Sequence, residues 1–211
     1  MTTTVTTTAT PVRFATQDGG ENLARADLYG LFAELFYAPP TAERLASIAD
    51  ARADDGTWLG DAWNALADAA RTTSAEAARD DYERLFLGVG RPNVYLYGSY
   101  YLSGFLMEKP LVTLRADLHV LGLERSGGVV ESEDHIAPLC EVMRYLIAHD
   151  EPDAPPVTEE EQHRFFAAHI KPWSERMCDA VDAAEPGPFY GALAALARRF
   201  FDIESQAFEM T

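Results

Sequence analysis

Apolar residues recur with helical period from Asn22 to Phe201. Leu28, Leu31, Phe32, Leu35 and Phe36 fall at i, i+3, i+4, i+7 and i+8, one stripe down one face, and Pro39-Pro40 ends that helix. Thr41 is placed to cap a short second helix carrying Leu45 and Ile48. Thr57 is placed to cap a third, with Trp58, Leu59, Ala62, Trp63 and Leu66 on one side. Ser74 opens a fourth, with Ala78, Tyr82, Leu85 and Phe86 inward, and Gly88 stands where it should stop. A turn-rich loop, Gly88 to Asn93, leads into the aromatic cluster Tyr95, Tyr97, Tyr100 and Tyr101.

Pro110 suits the first turn of the next helix, which carries Leu111, Leu114, Leu118 and Leu121 and closes at Gly122. After a loop from Glu124 to Glu133 comes a helix with Ile136, Leu139, Cys140, Met143, Leu146 and Ile147. Pro138 is tolerated only within its first turn, so it begins near Asp134 or His135, or kinks. Residues 150–157 read as a stiff acidic linker, and Thr158-x-x-Glu161 is a capping box. That helix runs to Lys171, Pro172 starts another with Trp173, Met177 and Val181, and Gly187-Pro188 starts the last. No strand pattern and no repeat stands out. The expectation is an all-α, single-domain bundle of roughly eight or nine helices over residues 21–211, preceded by a flexible Thr-rich tail, residues 1–20.

Composition narrows the function. Seventeen basic residues stand against 34 acidic ones, a net charge of −17, which repels phosphate backbones and favours a basic peptide as partner. The basic residues are lopsided too, since only Lys109 and Lys171 are lysines. This charge reads either as a surface adapted to high salt or as the ordinary product of a GC-rich genome. Cys140 and Cys178 sit in apolar helical patterns, and the N-terminus lacks a secretory pattern, which together predict buried free thiols in the cytoplasm. No apolar run is long enough to span a membrane.

Catalytic sets are missing. Gly88-Val89-Gly90 lacks the lysine and the strand of a phosphate loop, and no serine or cysteine has a nucleophile's context. Glu160-x-x-His163 has the spacing used by di-iron bundles, but those need two such motifs and further carboxylates. His163 and His169 are not on one face, and His119, His135 and His149 lie elsewhere. Neither an enzyme nor a bound cofactor is expected. The segment Glu131-Ser132-Glu133-Asp134-His135 is different: it gathers three carboxylates and an imidazole at a loop-to-helix junction. It is either a helix start favoured by the helix dipole or a grip for an arginine, whose fork suits paired carboxylates.

Several blocks in order resemble the TorD/DmsD family. Tyr82-Glu83-Arg84-Leu85-Phe86-Leu87-Gly88 resembles its Y-x-x-L-F-x-G block, and Ser99-Tyr100-Tyr101-Leu102 the Ser-x-Tyr-Leu segment that follows. Glu131 to Ile136 resembles the acidic E-P-x-D-H-[IL] motif, and Phe165 to Trp173 the F-x-x-x-H-[IL]-x-x-W block. Phe189-Tyr190 with Leu193 and Leu196 resembles the start of the family's last long helix. Ser132 stands where the family usually has proline, and Pro138 where a plain helical residue is expected.

The resemblance implies an all-helical cytoplasmic chaperone. Such proteins bind the twin-arginine signal peptide, or another N-terminal segment, of a molybdopterin-dependent reductase and hold it back from export until its cofactor is inserted. On this view Asp134 and His135, carried over from the motif, position the arginine end beside Glu131 and Glu133. Tyr82, Phe86, Tyr97 and Tyr100 offer an apolar wall by inference from their clustering. A helical metal-binding protein or di-iron enzyme, and a generic helical interaction protein, are the alternatives. Some relatives swap helices between chains, and residues 150–157 are a plausible hinge for a monomer or a swapped dimer. The acidic surface has its own measurement. If it is a high-salt adaptation, the melting midpoint rises between low-salt and molar KCl as screening relieves self-repulsion; an unchanged or falling midpoint assigns it to composition alone.

Overall fold

A computed structural model describes residues 17–53, 56–88, 90–124, 131–148 and 157–209. Among the described residues ten α-helices follow one another: α1 Gln17–Tyr37, α2 Ala42–Asp50, α3 Trp58–Thr72, α4 Ala75–Tyr82, α5 Gly98–Ser103, α6 Lys109–Val120, α7 Ile136–Ala148, α8 Glu159–His169, α9 Lys171–Ala183 and α10 Pro188–Glu209. All nine helices expected from periodicity are present. The tenth, α5, is too short for a period to register. Among the described residues the extended pairing is confined to one antiparallel bridge, Tyr97 with His135. Helix α1 begins at Gln17, inside the segment assigned to the tail; residues 1–16, the loop at 125–130 and most of the acidic linker lie outside the described residues.

The helix starts follow their capping residues. The hydroxyls of Thr41, Thr57 and Ser74 accept the N–H of Arg44, Gly60 and Ala77 at 3.2, 2.9 and 3.1 Å. At α8 the capping box is complete: the Glu161 carboxylate accepts the Thr158 N–H at 2.9 Å, and the Thr158 hydroxyl accepts the Glu161 N–H at 3.2 Å. Helix α4 widens into a π-helical turn, Glu83–Leu87, which Gly88 ends at a φ of 54°. A Cβ on Gly88 would lie 2.1 Å from the Arg91 carbonyl oxygen, so only glycine fits.

Helix α1 packs along α7, while α10 packs on α3 and α9, and α2 on α3. The core is aromatic: Tyr29 and Phe32 from α1 meet Phe200 and Phe201 from α10, and Phe86 meets Phe36 and Tyr190. Trp58 departs from the inward face expected of it. It is exposed and lies under the Arg199 guanidinium, 5.6 Å from the ring centre. The first residue of a helix lies before the stripe has settled onto the core.

One buried ion pair ties the ends of the chain together. Arg25 on α1 grips both oxygens of Glu204 on α10 at 2.7 and 2.9 Å, and the Tyr29 hydroxyl donates to the same carboxylate at 3.0 Å. Glu204 is 3% exposed. Removing one partner leaves a charge uncompensated, so Glu204→Ala is expected to cost about 3 kcal/mol in chemical denaturation. Arg25→Met with Glu204→Leu should recover most of it; a single variant within ~0.5 kcal/mol of wild type would show that the pair contributes little.

Candidate peptide-binding groove

The acidic junction is built around the start of α7. The His135 Nδ1 accepts the Ala137 N–H at 3.1 Å, so His135 caps the helix, and Pro138 falls inside the first turn as its spacing requires. Just upstream, the chain pairs with the segment that leads into α5: Ile136 N–H donates to the Leu96 carbonyl and Gly98 N–H to the Asp134 carbonyl, both at 2.8 Å. Gly98 has no room for a side chain, because a Cβ would lie 2.9 Å from the Trp173 indole nitrogen.

Asp134 is 4% exposed and both its oxygens are used. Oδ2 accepts the Ser99 N–H at 2.9 Å, at the start of α5, and Oδ1 accepts the Ser132 hydroxyl at 2.6 Å. Ser132, which departs from the family's proline, thus supplies a donor to the motif's aspartate. His135 is buried edge-on against Tyr97, ring centres 5.0 Å apart. Burial lowers its pKa to about 4, against the opposing pull of the Glu131 and Asp134 charges, so the imidazole is neutral near pH 7.

Glu131 and Glu133 are only half-buried. Glu131 accepts the Tyr97 hydroxyl at 2.5 Å; burial and this carboxylate push the Tyr97 phenol far up. Glu133 is held in a fork by Arg115 of α6, Nε to Oε1 at 3.1 Å and Nη2 to Oε2 at 2.9 Å. Both glutamates face a groove between α1, α6 and α7 with a volume of about 550 Å³. Ala33, Tyr37, Leu118, Leu123, Ala137, Pro138, Val142 and Tyr145 give it apolar walls, and Glu34, Glu124, Glu131, Glu133 and Glu141 rim it. Among the described residues no lysine or arginine lines it, although Arg44 and Arg144 pair from outside with Glu34 and Glu141 at 2.8 and 2.7 Å. A larger cavity of about 710 Å³ between α1, α2 and α3 has one aspartate and one arginine in its lining, which is no match for a cationic peptide.

The sequence-predicted residues therefore divide. Glu131 and Glu133 line the groove. Asp134 and His135 are buried and are not among the groove's lining residues; both Asp134 carboxylate oxygens and the His135 Nδ1 accept from the protein itself. Tyr97 links the two groups through Glu131. The expected aromatic wall is corrected: Tyr82 and Phe86 are core residues. The Tyr82 hydroxyl donates to the Tyr37 carbonyl at 2.7 Å, and burial with the Glu131 charge pushes its phenol up to about 12. Tyr100 belongs to a separate stack, 4.1 Å from Tyr95, beside Tyr101 and Trp173. Tyr37 and Tyr145 are the groove's own aromatics. A signal for them exists in α7, where Val142 and Tyr145 are apolar yet lie off the stripe that Ile136, Cys140 and Met143 bury.

The family model described as nitrate reductase delta subunit matches residues 52–179. The chain is 30% identical over 172 residues to the Tat proofreading chaperone DmsD of Salmonella typhimurium, spanning 78% of this chain and 80% of that protein. The chain belongs to the TorD/DmsD family. Its similarity to the DmsD of Salmonella paratyphi A is 29% over the same length. The family match runs from α3 into α9 and so includes the acidic junction and the α6 and α7 walls of the groove.

The buried His135 predicts a pH dependence. Its folded pKa, about 4, lies below the ordinary 6.5, so between these values the unfolded state holds more protons and stability falls as pH falls. The contribution is fully present above about 6.5, is lost as pH falls through about 4, and is on the order of 2–3 kcal/mol. His135→Asn keeps an acceptor for the Ala137 N–H but cannot charge. Urea melts from pH 4 to 7 should show a shallower slope in this variant; parallel slopes would mean His135 titrates normally.

Proposed function

We propose that this protein is a non-catalytic cytoplasmic chaperone that binds the N-terminal twin-arginine leader of a molybdopterin-dependent oxidoreductase. By holding the leader it delays export while the client folds and receives its cofactor. The observation that carries this reading is the groove between α1, α6 and α7, apolar in its walls and rimmed by five glutamates. A twin-arginine leader offers guanidinium groups followed by an apolar stretch. Glu131 and Glu133 suit the first, and Tyr37, Leu118, Val142 and Tyr145 suit the second. Membership of a chaperone family whose relatives include Tat proofreading proteins supports the same reading. The chemistry asked of the site is binding and release. No helix among the described residues is long and apolar enough to cross a membrane.

The division of labour at the junction makes the test specific. Glu131→Gln and Glu133→Gln are each expected to weaken a synthetic twin-arginine leader about three- to tenfold in calorimetric titration, with the melting midpoint retained. Replacing the leader's arginines by lysines should weaken it too, because lysine lacks the fork. Asp134→Asn should lower the midpoint together with the affinity, since it loosens the cap of α5. Unchanged leader affinity in a combined Glu131→Gln, Glu133→Gln variant would remove the groove's rim from the account.

A further inference from the structure

The arginine subsite of the groove is already filled by the protein itself. We propose that Arg115 is a resident stand-in for a leader arginine, seated on Glu133 in the free protein and displaced when the leader binds. It thereby sets the affinity of the groove. This deepens the leader-binding reading and rests on it.

Glu133 differs from the other rim glutamates that carry an arginine. Its side chain is 16% exposed, against 51% for Glu34 and 49% for Glu141. Arg115 takes both of its oxygens, whereas Arg144 brings two nitrogens to a single oxygen of Glu141. The carboxylate best shielded from water is therefore also the one held in a full fork, the contact that distinguishes guanidinium from ammonium. Arg115 itself is 54% exposed and stands one helical turn before Leu118, which lines the groove. Its side chain can swing into solvent without opening a void in the core. A leader arginine that takes its place exchanges one ion pair for another, so the gain on binding is a difference between two similar contacts. A lysine making the same exchange gives up the fork and gains only a point charge. The cost of displacing Arg115 is common to both peptides, so the resident arginine lowers both affinities and the preference for arginine comes from the fork that Glu133 offers.

The test compares Arg115→Gln with Arg144→Gln, which removes the same charge from the same rim, using a synthetic Arg-Arg leader peptide and its Lys-Lys counterpart on the full chain. The expected result is that Arg115→Gln binds the Arg-Arg peptide about three- to fivefold more tightly than wild type, exceeding any gain in Arg144→Gln. Discrimination between the two peptides should be retained, because the contact they displace is common to both. The affinity of Arg115→Gln should also fall more steeply with salt, because its new ion pair no longer replaces an old one. In a Glu133→Gln background the gain from Arg115→Gln should vanish. Equal gains in the two arginine variants, or a gain that survives Glu133→Gln, would overturn the proposal while leaving leader binding intact. Failure of the wild type to bind the Arg-Arg peptide would instead remove the reading on which it rests, and the proposal with it.

Discussion

A carboxylate withdrawn from water has to be met by donors, and the arrangement at Asp134 follows from that requirement. Its two oxygens are satisfied by the Ser99 N–H and the Ser132 hydroxyl, and its carbonyl by the Gly98 N–H. These three bonds pin the start of α5 to the residues just before α7. His135 then starts α7, and Glu131 and Glu133, a few residues back, are left on the surface beside the α6 wall. The buried aspartate thus helps fix the height at which those two glutamates meet the groove, together with the Ile136–Leu96 backbone bond and the contacts of Tyr97 and Arg115. It is tied to the groove through geometry, one layer behind the residues that line it.

The groove combines two physical features that a leader needs at once. Apolar walls offer burial to a hydrophobic stretch, and a carboxylate rim offers charge to arginine. The rest of the chain works in the same direction, since a net charge of −17 steers cationic peptides inward and repels polyanions. Each rim carboxylate with an arginine partner is partly neutralised before any ligand arrives. That offsets part of the self-repulsion of an acidic surface.

Much of the fold was legible because helical period and capping are local. Thr41, Thr57, Ser74 and the Thr158 box mark four helix starts where the structure has them. The site was less legible, for reasons that are equally physical. Periodicity puts Tyr82 and Phe86 inward, and they do pack onto Tyr190 and Phe36, which takes both away from the apolar wall inferred beside the junction. The groove is made of the outer faces of three helices far apart in the chain, and no periodicity announces that Tyr37 and Tyr145 will line one groove. The bond between Arg25 and Glu204 spans 179 residues and leaves no local trace. Charge draws attention to Glu131 and Glu133, which line the groove, but charge alone leaves a helix start and an arginine grip as equal readings.

The central claim is that the leader lies in the groove between α1, α6 and α7. The direct measurement is the change in backbone amide resonances of the isotopically labelled protein as a twin-arginine leader peptide is added. The account predicts that the largest shifts fall at Tyr37, Leu118, Glu131, Glu133, Val142 and Tyr145. Shifts concentrated instead on the Tyr95–Tyr100–Tyr101 stack, with the groove residues unmoved, would contradict it.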